Sequence, residues 1–231
     1  MDTSLTAALG VGFLLGVRHA ADADHIAAVS TFVSQDRSVA RSCLLGTFWG
    51  MGHTAALFVA GLGVIGFKVT ISPTIEQAFE MLVALVLIVL GSHVLLRAMA
   101  AVALPGQQHA HGTEPPHRHM HPHVGGSGAH SHWYLFRAGR RPFVVGMLHG
   151  MAGSAALMLV VLAAIPSPVG GLLYIAVFGL GSTVGMLTLS GLIALPFVLT
   201  AQWSQRANTA IRVTAALASM ALGAWLVYSQ R

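Results

Sequence analysis

Long apolar runs recur along the chain, and short polar segments separate most of them. Six runs are long enough for a helix to cross a bilayer, which takes about 20 residues, and they lie at about 5–33, 42–67, 76–103, 142–164, 169–199 and 208–229. The segment 104–141 interrupts this series, because it is rich in Gly, Pro and His and lacks helical periodicity. The pattern predicts an all-α membrane protein in which a disordered linker joins two groups of three transmembrane helices.

Composition supports this fold class and excludes a soluble domain. Hydrophobic residues make up 55% of the chain and charged residues only 8%, whereas soluble domains carry about 25% charged residues. The net charge of +5 comes from so few ionisable groups that it indicates orientation in a membrane and no nucleic-acid binding. Cys43 is the single cysteine, so an internal disulfide and a cysteine-based metal cluster are both excluded. We expect the first apolar run to be a retained span and not a signal peptide.

Basic residues are distributed unevenly between the two sides of the predicted helices. The loops after spans one, three and five hold Arg37, Arg41, Arg97, Arg118, Arg137, Arg140, Arg141, Arg206 and Arg212, and the opposite side holds only Lys68 and Arg231. Basic residues accumulate in cytoplasmic loops. The linker is therefore expected in the cytoplasm and both termini outside the cell, in a multi-pass protein of the cytoplasmic membrane.

The two halves of the chain share short sequence matches in the same order. Gly16-Val17-Arg18-His19 aligns with Gly146-Met147-Leu148-His149, residues 48–54 align with 177–183, and Leu90-Gly91 aligns with Leu222-Gly223. Duplication of a three-helix unit explains the matches and, since three is odd, the copies would be inverted in the membrane. Chance matching among Gly- and Leu-rich spans is the alternative. The predicted organisation is a repeat at 1–103, the His-rich cytoplasmic linker at 104–141 and a second repeat at 142–231.

The first span contains five ionisable residues: Arg18, His19, Asp22, Asp24 and His25. An aspartate at membrane depth costs at least about 2.5 kcal/mol, so such residues are candidates for function. On a regular helix His19, Asp22 and His25 share a face, and Asp24 joins them only if the helix is broken. Imidazoles with a carboxylate suit Ni²⁺, Co²⁺ or Zn²⁺. The alternative is structural: Arg18 pairs with Asp22, and the histidines form hydrogen bonds between helices.

Further histidines extend the candidate site. His53 lies among small residues that allow close helix approach, and His149 is the counterpart of His19 in the second repeat. Each is a candidate ligand, with helix packing as the alternative, and His93 is expected at the membrane interface. Eight histidines lie in the linker: His109, His111, His117, His119, His121, His123, His130 and His132. They suit metal buffering outside the permeation path, and a tolerated low-complexity linker is the alternative.

The order of His19, four residues and then Asp24-His25 resembles the signature of the nickel/cobalt transporter family. Residues 45–54 resemble its second motif, and residues 149–156 resemble its urease-accessory transmembrane branch. The resemblance implies movement of Ni²⁺ or Co²⁺ across a membrane, with metal-handling roles for His19, Asp22, Asp24, His25 and His53. The chain departs from the pattern at Ser190, where an acidic residue is expected, and in having six predicted spans where larger members have eight.

These observations together predict a transporter of Ni²⁺, or of Co²⁺, that acts in uptake and has neither enzymatic activity nor a catalytic cofactor. The predicted metal-binding residues are His19, Asp22, Asp24, His25, His53 and His149. An exporter of the same family is one alternative, and an intramembrane metalloenzyme of the histidine-box type is another. The expected partners are the divalent cation and the lipid bilayer, and a cytoplasmic metallochaperone or a second copy of the chain is considered.

Overall fold

The chain folds into a series of α-helices. The computed structural model describes the backbone of residues 3–68, 72–103, 132–152, 165 and 167–230, and all regular elements in these ranges are helical. In chain order they are α1 (Thr3–His19), α2 (Ala23–Val33), α3 (Val39–Gly61), α4 (Pro73–Ala103), α5 (His132–Met151), α6 (Pro168–Trp203) and α7 (Gln205–Ser229). One turn of π-helix, Leu62–Gly66, follows α3. The predicted all-α class is confirmed for this part of the chain.

Four of the described helical segments are long and apolar enough to cross a membrane. They are Val39–Gly66, Pro73–Ala100, Pro168–Trp203 and Gln205–Ser229, and Leu5–His19 is a shorter apolar helix. The four long segments coincide with the predicted spans two, three, five and six. Serines at the N-caps of α3, α6 and α7 (Ser38, Ser167 and Ser204) each accept a backbone N–H and mark where these helices begin.

The first predicted span is two helices. α1 ends at His19, α2 begins at Ala23, and residues 20–22 form a turn between them. Asp22 is the N-cap of α2 with extended backbone angles, which ends the regular helix. The expectation of one helical face carrying His19, Asp22 and His25 is therefore wrong, and Arg18 is exposed. The helix is broken between His19 and Ala23, and the sequence predicts that Asp24 can join the site only if such a break exists.

The fourth predicted span begins earlier than expected. α5 starts at His132, so residues 132–141 are helical, and their assignment to a disordered linker is wrong. Pro142 lies inside α5 and is fully buried, so packing offsets the backbone hydrogen bond that a proline removes from a helix. Residues 104–131, with the remaining linker histidines, and residues 153–164, which the prediction gave to the end of this span, lie outside the described residues.

Helices α3 and α6 form the central pair and cross antiparallel through small residues. Three contacts carry the crossing: Gly46 with Ser190, Gly50 with Thr183, and Gly179 with Thr54. Residue numbers fall along one helix as they rise along the other, which makes the pair antiparallel. Membrane helices associate without a hydrophobic driving force, so close backbone approach through small residues stabilises such pairs.

Helices α1 and α5 flank this pair. α1 runs parallel to α6, because Gly12 lies against Tyr174, Gly16 against Phe178 and Val17 against Gly185, so residue numbers rise along both helices. A Cβ at Gly16 would overlap the carbonyl oxygen of Phe178, and one at Gly181 would overlap that of Phe13. α5 packs on α3 through two contacts of the same kind: Gly146 with the Trp49 carbonyl and Gly52 with the Phe143 carbonyl. These glycines therefore fix the depth of both outer helices against the central pair.

Helices α4 and α7 form a second antiparallel pair. A Cβ at Gly91 would lie 2.6 Å from the carbonyl oxygen of Ala216, and one at Gly223 would lie 2.6 Å from that of Ala84. The hydroxyl of Ser219 donates to the carbonyl of Leu87 at 3.0 Å. α2 packs against both pairs, and the main apolar cluster around it includes Val29, Val33, Trp49, Leu87 and Met186. This packing fixes the start of α2, which carries Asp24 and His25.

Candidate metal centre

Four histidines from four helices converge inside the helical bundle. His19 is the last residue of α1, His25 lies in the first turn of α2, His53 lies within α3, and His149 lies in the last turn of α5. One ring nitrogen from each of His19, His25 and His53 lies within 4.8 Å of the other two. Nitrogen ligands bind a divalent ion such as zinc at about 2.0–2.1 Å, so these three nitrogens would have to move closer together to bind one cation.

The imidazole rings form a triangle with a fourth ring beside it. The ring centroids of His19 and His25 are 4.8 Å apart, those of His19 and His53 are 5.0 Å apart, and those of His25 and His53 are 5.3 Å apart. The ring of His149 lies 5.2 Å from that of His25. His25 is therefore shared between the triangle and His149.

Burial leaves several of these nitrogens without hydrogen bonds. His25 and His53 are 2% and 1% exposed. Among the described residues, neither ring nitrogen of His53 has a hydrogen-bond partner, and nor does Nε2 of His25. A buried polar atom without a partner costs about 1–3 kcal/mol, so native proteins rarely leave one unsatisfied. Coordination of a cation would satisfy these nitrogens.

Two carboxylates hold the other side of the histidine rings. Oδ2 of Asp22 lies 2.7 Å from Nδ1 of His19, and Oδ1 of Asp24 lies 3.1 Å from Nδ1 of His25. The second oxygen of Asp24 lies 3.8 Å from Nε2 of His149. Metal-binding histidines commonly donate one ring N–H to a carboxylate, which leaves the other nitrogen free for the metal. The arrangement of His19 and His25 has this form.

All six residues predicted from the sequence lie in this cluster. Asp24, which a regular helix would turn away, reaches His25 and His149 because the chain breaks between α1 and α2. Asp22 lies on the outer side of the cluster, with its side chain 50% exposed. His93 is exposed on α4, where it lines a pocket formed by other residues. Ser182, the counterpart of His53 in the alignment of the two halves, is fully buried.

Two aromatic residues of the cluster were not found by sequence reasoning. The ring of Trp49 lies 5.1 Å from that of His149 and 6.3 Å from that of His25, and the ring of Phe178 lies 5.6 Å from that of His19. Both side chains are buried. The signal was present, because Trp49 and Phe178 occupy matching positions in the aligned segments 48–54 and 177–183.

Long apolar helices around a buried imidazole cluster define an integral membrane protein with a candidate site for a divalent transition metal. Comparison with known proteins identifies the family. Residues 5–229 match the family model described as "High-affinity nickel-transport protein", and the chain belongs to this family of nickel transporters. The resemblance read from the motifs is therefore confirmed. Since the family is one of transporters, the chain is not an enzyme, and the histidine-box alternative is wrong.

A curated relative agrees with the family assignment. The chain is 36% identical over 214 residues to the urease accessory protein UreH of Bacillus sp. (strain TB-90), and the alignment covers 92% of this chain and 87% of the relative. No solved structure matches the chain. The relative and the family model therefore both extend over nearly the whole chain, and the family match includes every residue of the histidine cluster.

Proposed function

We propose that the protein carries Ni²⁺ into the cell and that His19, His25 and His53 replace water ligands of the ion inside the membrane. The observation that carries the proposal is the triangle of imidazoles whose nitrogens lie within 4.8 Å of one another. Neutral imidazole is a suitable ligand for Ni²⁺ and for Co²⁺, so Co²⁺ is the alternative substrate. The description of the family as high-affinity favours uptake, because an importer has to capture a scarce ion.

Each of the two aspartates has a positioning role in this proposal. Asp22 holds His19 and Asp24 holds His25 through Nδ1, so that Nε2 of both rings is directed to the ion. Their negative charges also offset the charge of the cation in a medium of low dielectric. Asp24 is shared with His149, which makes His149 the next ligand along the path.

We also propose that the bundle consists of two repeats related by a two-fold axis. Close contacts occur in pairs that interchange when each residue is replaced by its counterpart 129–132 positions away: Gly16 with Phe178 and Gly146 with Trp49, Gly181 with Phe13 and Gly52 with Phe143, Gly91 with Ala216 and Gly223 with Ala84. Chance matching among glycines would not produce reciprocal partners. The proposed repeats are residues 1–103 and 142–231. Because α5 already begins at His132, ahead of the predicted start of the second repeat at 142, the proposed linker shortens to residues 104–131.

The helix directions support inversion of the second repeat. α3 and α6 are counterparts and run antiparallel, and so do α4 and α7. Counterparts that run in opposite directions are related by an axis in the membrane plane, which is the arrangement that places a substrate between the repeats near the midplane. The cationic side of the bundle is assigned to the cytoplasm, with the termini outside. A cytoplasmic metallochaperone is the proposed acceptor of the ion.

Flux measurements on the reconstituted full chain test the proposal. Radiolabelled Ni²⁺ uptake would be measured in oriented vesicles for wild type, His53→Ala and the matched control His93→Ala, which changes an exposed histidine outside the cluster. We expect flux to be lost in His53→Ala and kept in His93→Ala and in a deletion of residues 109–130. Equal flux in His53→Ala and wild type would exclude the cluster as the path. Vesicles loaded with Ni²⁺ distinguish export from uptake.

A further inference from the structure

A second site lies where α2, α3, α4 and α5 leave an open pocket of about 600 Å³ between them. Its walls are apolar and partly or fully buried: Phe32, Leu45, Leu90, Val94 and Val145. Three exposed arginines also line the pocket, Arg97 from α4 with Arg140 and Arg141 from α5, and Thr31, Gln35 and His93 are its other polar residues. None of these residues belongs to the histidine cluster.

The arginines bring positive charge together without a matching carboxylate. The pocket lining contains no Asp or Glu, and among the described residues no carboxylate pairs with Arg97, Arg140 or Arg141. Nη1 of Arg97 donates to the side-chain oxygen of Gln35 at 3.2 Å, which is a neutral partner. Converging guanidinium groups favour an anion, and their planar donor pattern matches phosphate oxygens.

We propose that this pocket binds an anionic phospholipid, with its phosphate at the three arginines and an acyl chain along the apolar wall. Arg97 lies near the end of the apolar segment Pro73–Ala100, and Leu90 and Val94 lie one to two turns deeper on the same helix. A lipid has this order of charge and apolar chain at a membrane surface, and basic pockets between transmembrane helices bind anionic head groups. A soluble phosphate would satisfy the arginines and leave the apolar wall uncovered.

The test compares lipid selectivity of the full chain in phosphatidylcholine vesicles. Electron paramagnetic resonance of spin-labelled phosphatidylglycerol and spin-labelled phosphatidylcholine measures how strongly each is held at the protein surface. We expect wild type to prefer phosphatidylglycerol and the triple variant R97Q/R140Q/R141Q to lose that preference by at least about threefold. The control variant R37Q/R41Q/R206Q removes the same charge from the same predicted side but outside the pocket, and it should keep most of the preference.

The competing outcomes distinguish a bound lipid from a soluble anion and from general surface charge. The site would be overturned if R97Q/R140Q/R141Q kept the wild-type preference for phosphatidylglycerol. It would also be overturned if the control variant R37Q/R41Q/R206Q lost as much of that preference. Inorganic phosphate added in excess should leave the phosphatidylglycerol signal unchanged, and displacement by it would overturn the lipid assignment in favour of a soluble anion. Elution volume and circular dichroism report folding. If the triple variant does not fold, R97Q and R141Q are measured singly, and each should lower the preference while R41Q does not.

Discussion

Thr54 and Thr183 meet where α3 crosses α6, with their hydroxyl oxygens 3.1 Å apart. The Thr54 hydroxyl also lies 2.8 Å from the carbonyl oxygen of Gly179. The two threonines are counterparts in the alignment of the two halves, and two counterparts can touch only on the axis that relates the repeats. Leu87 and Ser219 form a second such pair through the hydrogen bond between α4 and α7. The proposed axis therefore passes one residue from His53.

A disulfide between positions 54 and 183 tests this crossing. In a Cys43→Ser background, which removes the single cysteine, Thr54→Cys with Thr183→Cys should form a disulfide readily, because the two hydroxyl oxygens that the sulfurs would replace lie only 3.1 Å apart. A protease site placed in residues 104–131 gives the readout, since the cleaved halves stay joined until reductant is added. Thr54→Cys with Thr188→Cys, at an exposed position of α6, is the control. Cross-linking of the control alone would contradict the crossing.

Glycine substitutions test the close contacts between helices. A Cβ at Gly181 would overlap the carbonyl of Phe13, and backbone cannot give way as a flexible side chain can. We therefore expect Gly181→Ala to destabilise the bundle by about 1–3 kcal/mol, as overpacking does in tightly packed interiors. Thermal unfolding in detergent measures the change. Gly10→Ala is the matched control, because nothing lies within 4 Å of its added Cβ and alanine is the better helix former, so its stability should be equal or higher.

The two aspartates should differ in their effect on nickel binding. Asp24 contacts both His25 and His149 and is 33% exposed, whereas Asp22 pairs only with His19 among the residues that the structure describes and is 50% exposed. Asp24→Asn should lower the Ni²⁺ affinity of the purified protein by about 10–100-fold, the usual cost of losing a carboxylate that orients a ligand histidine. Asp22→Asn should cost less, because solvent partly replaces its contribution. Titration calorimetry gives both values, and a larger loss in Asp22→Asn would reverse the proposed roles.

Hydropathy and the cost of ionisable residues in a membrane account for most of what the sequence predicts correctly. Four spans follow from apolar length alone. The residues of the cluster follow from the improbability of His and Asp inside such spans. The break after His19 does not follow from the sequence, because Ala20 and Ala21 favour a helix.

Other features depend on contacts that a linear pattern does not contain. The choice of Asp24 over Asp22 as the partner of His149 is set by where α5 ends, so it depends on tertiary packing. The early start of α5 was missed because a Gly-, Pro- and His-rich composition outweighed the apolar residues between 132 and 141. Trp49 and Phe178 occupy matching positions in the two halves, but buried aromatic residues usually serve packing, and their reciprocal contacts with His149 and His19 are what connect them to the site.

Trp49 provides a direct optical test of where the ion binds. Its ring lies 6.3 Å from that of His25 and is buried, whereas Trp225 on α7 is 60% exposed. Ni²⁺ is an open-shell ion that quenches indole emission at close range. A variant that keeps Trp49 and carries Phe at positions 133, 203 and 225 should therefore lose emission when Ni²⁺ is added and regain it when a chelator removes the ion.

Two variants make this measurement decisive. A protein that keeps only Trp225 should show little change with Ni²⁺, because that ring lies on another helix outside the cluster. Adding His53→Ala to the Trp49 protein should remove the quenching, since the triangle of imidazoles then loses one ligand. Persistent Trp49 emission in a protein that still transports Ni²⁺ would place the ion's path elsewhere in the bundle, and quenching of Trp225 to the same extent would indicate adventitious binding at the surface.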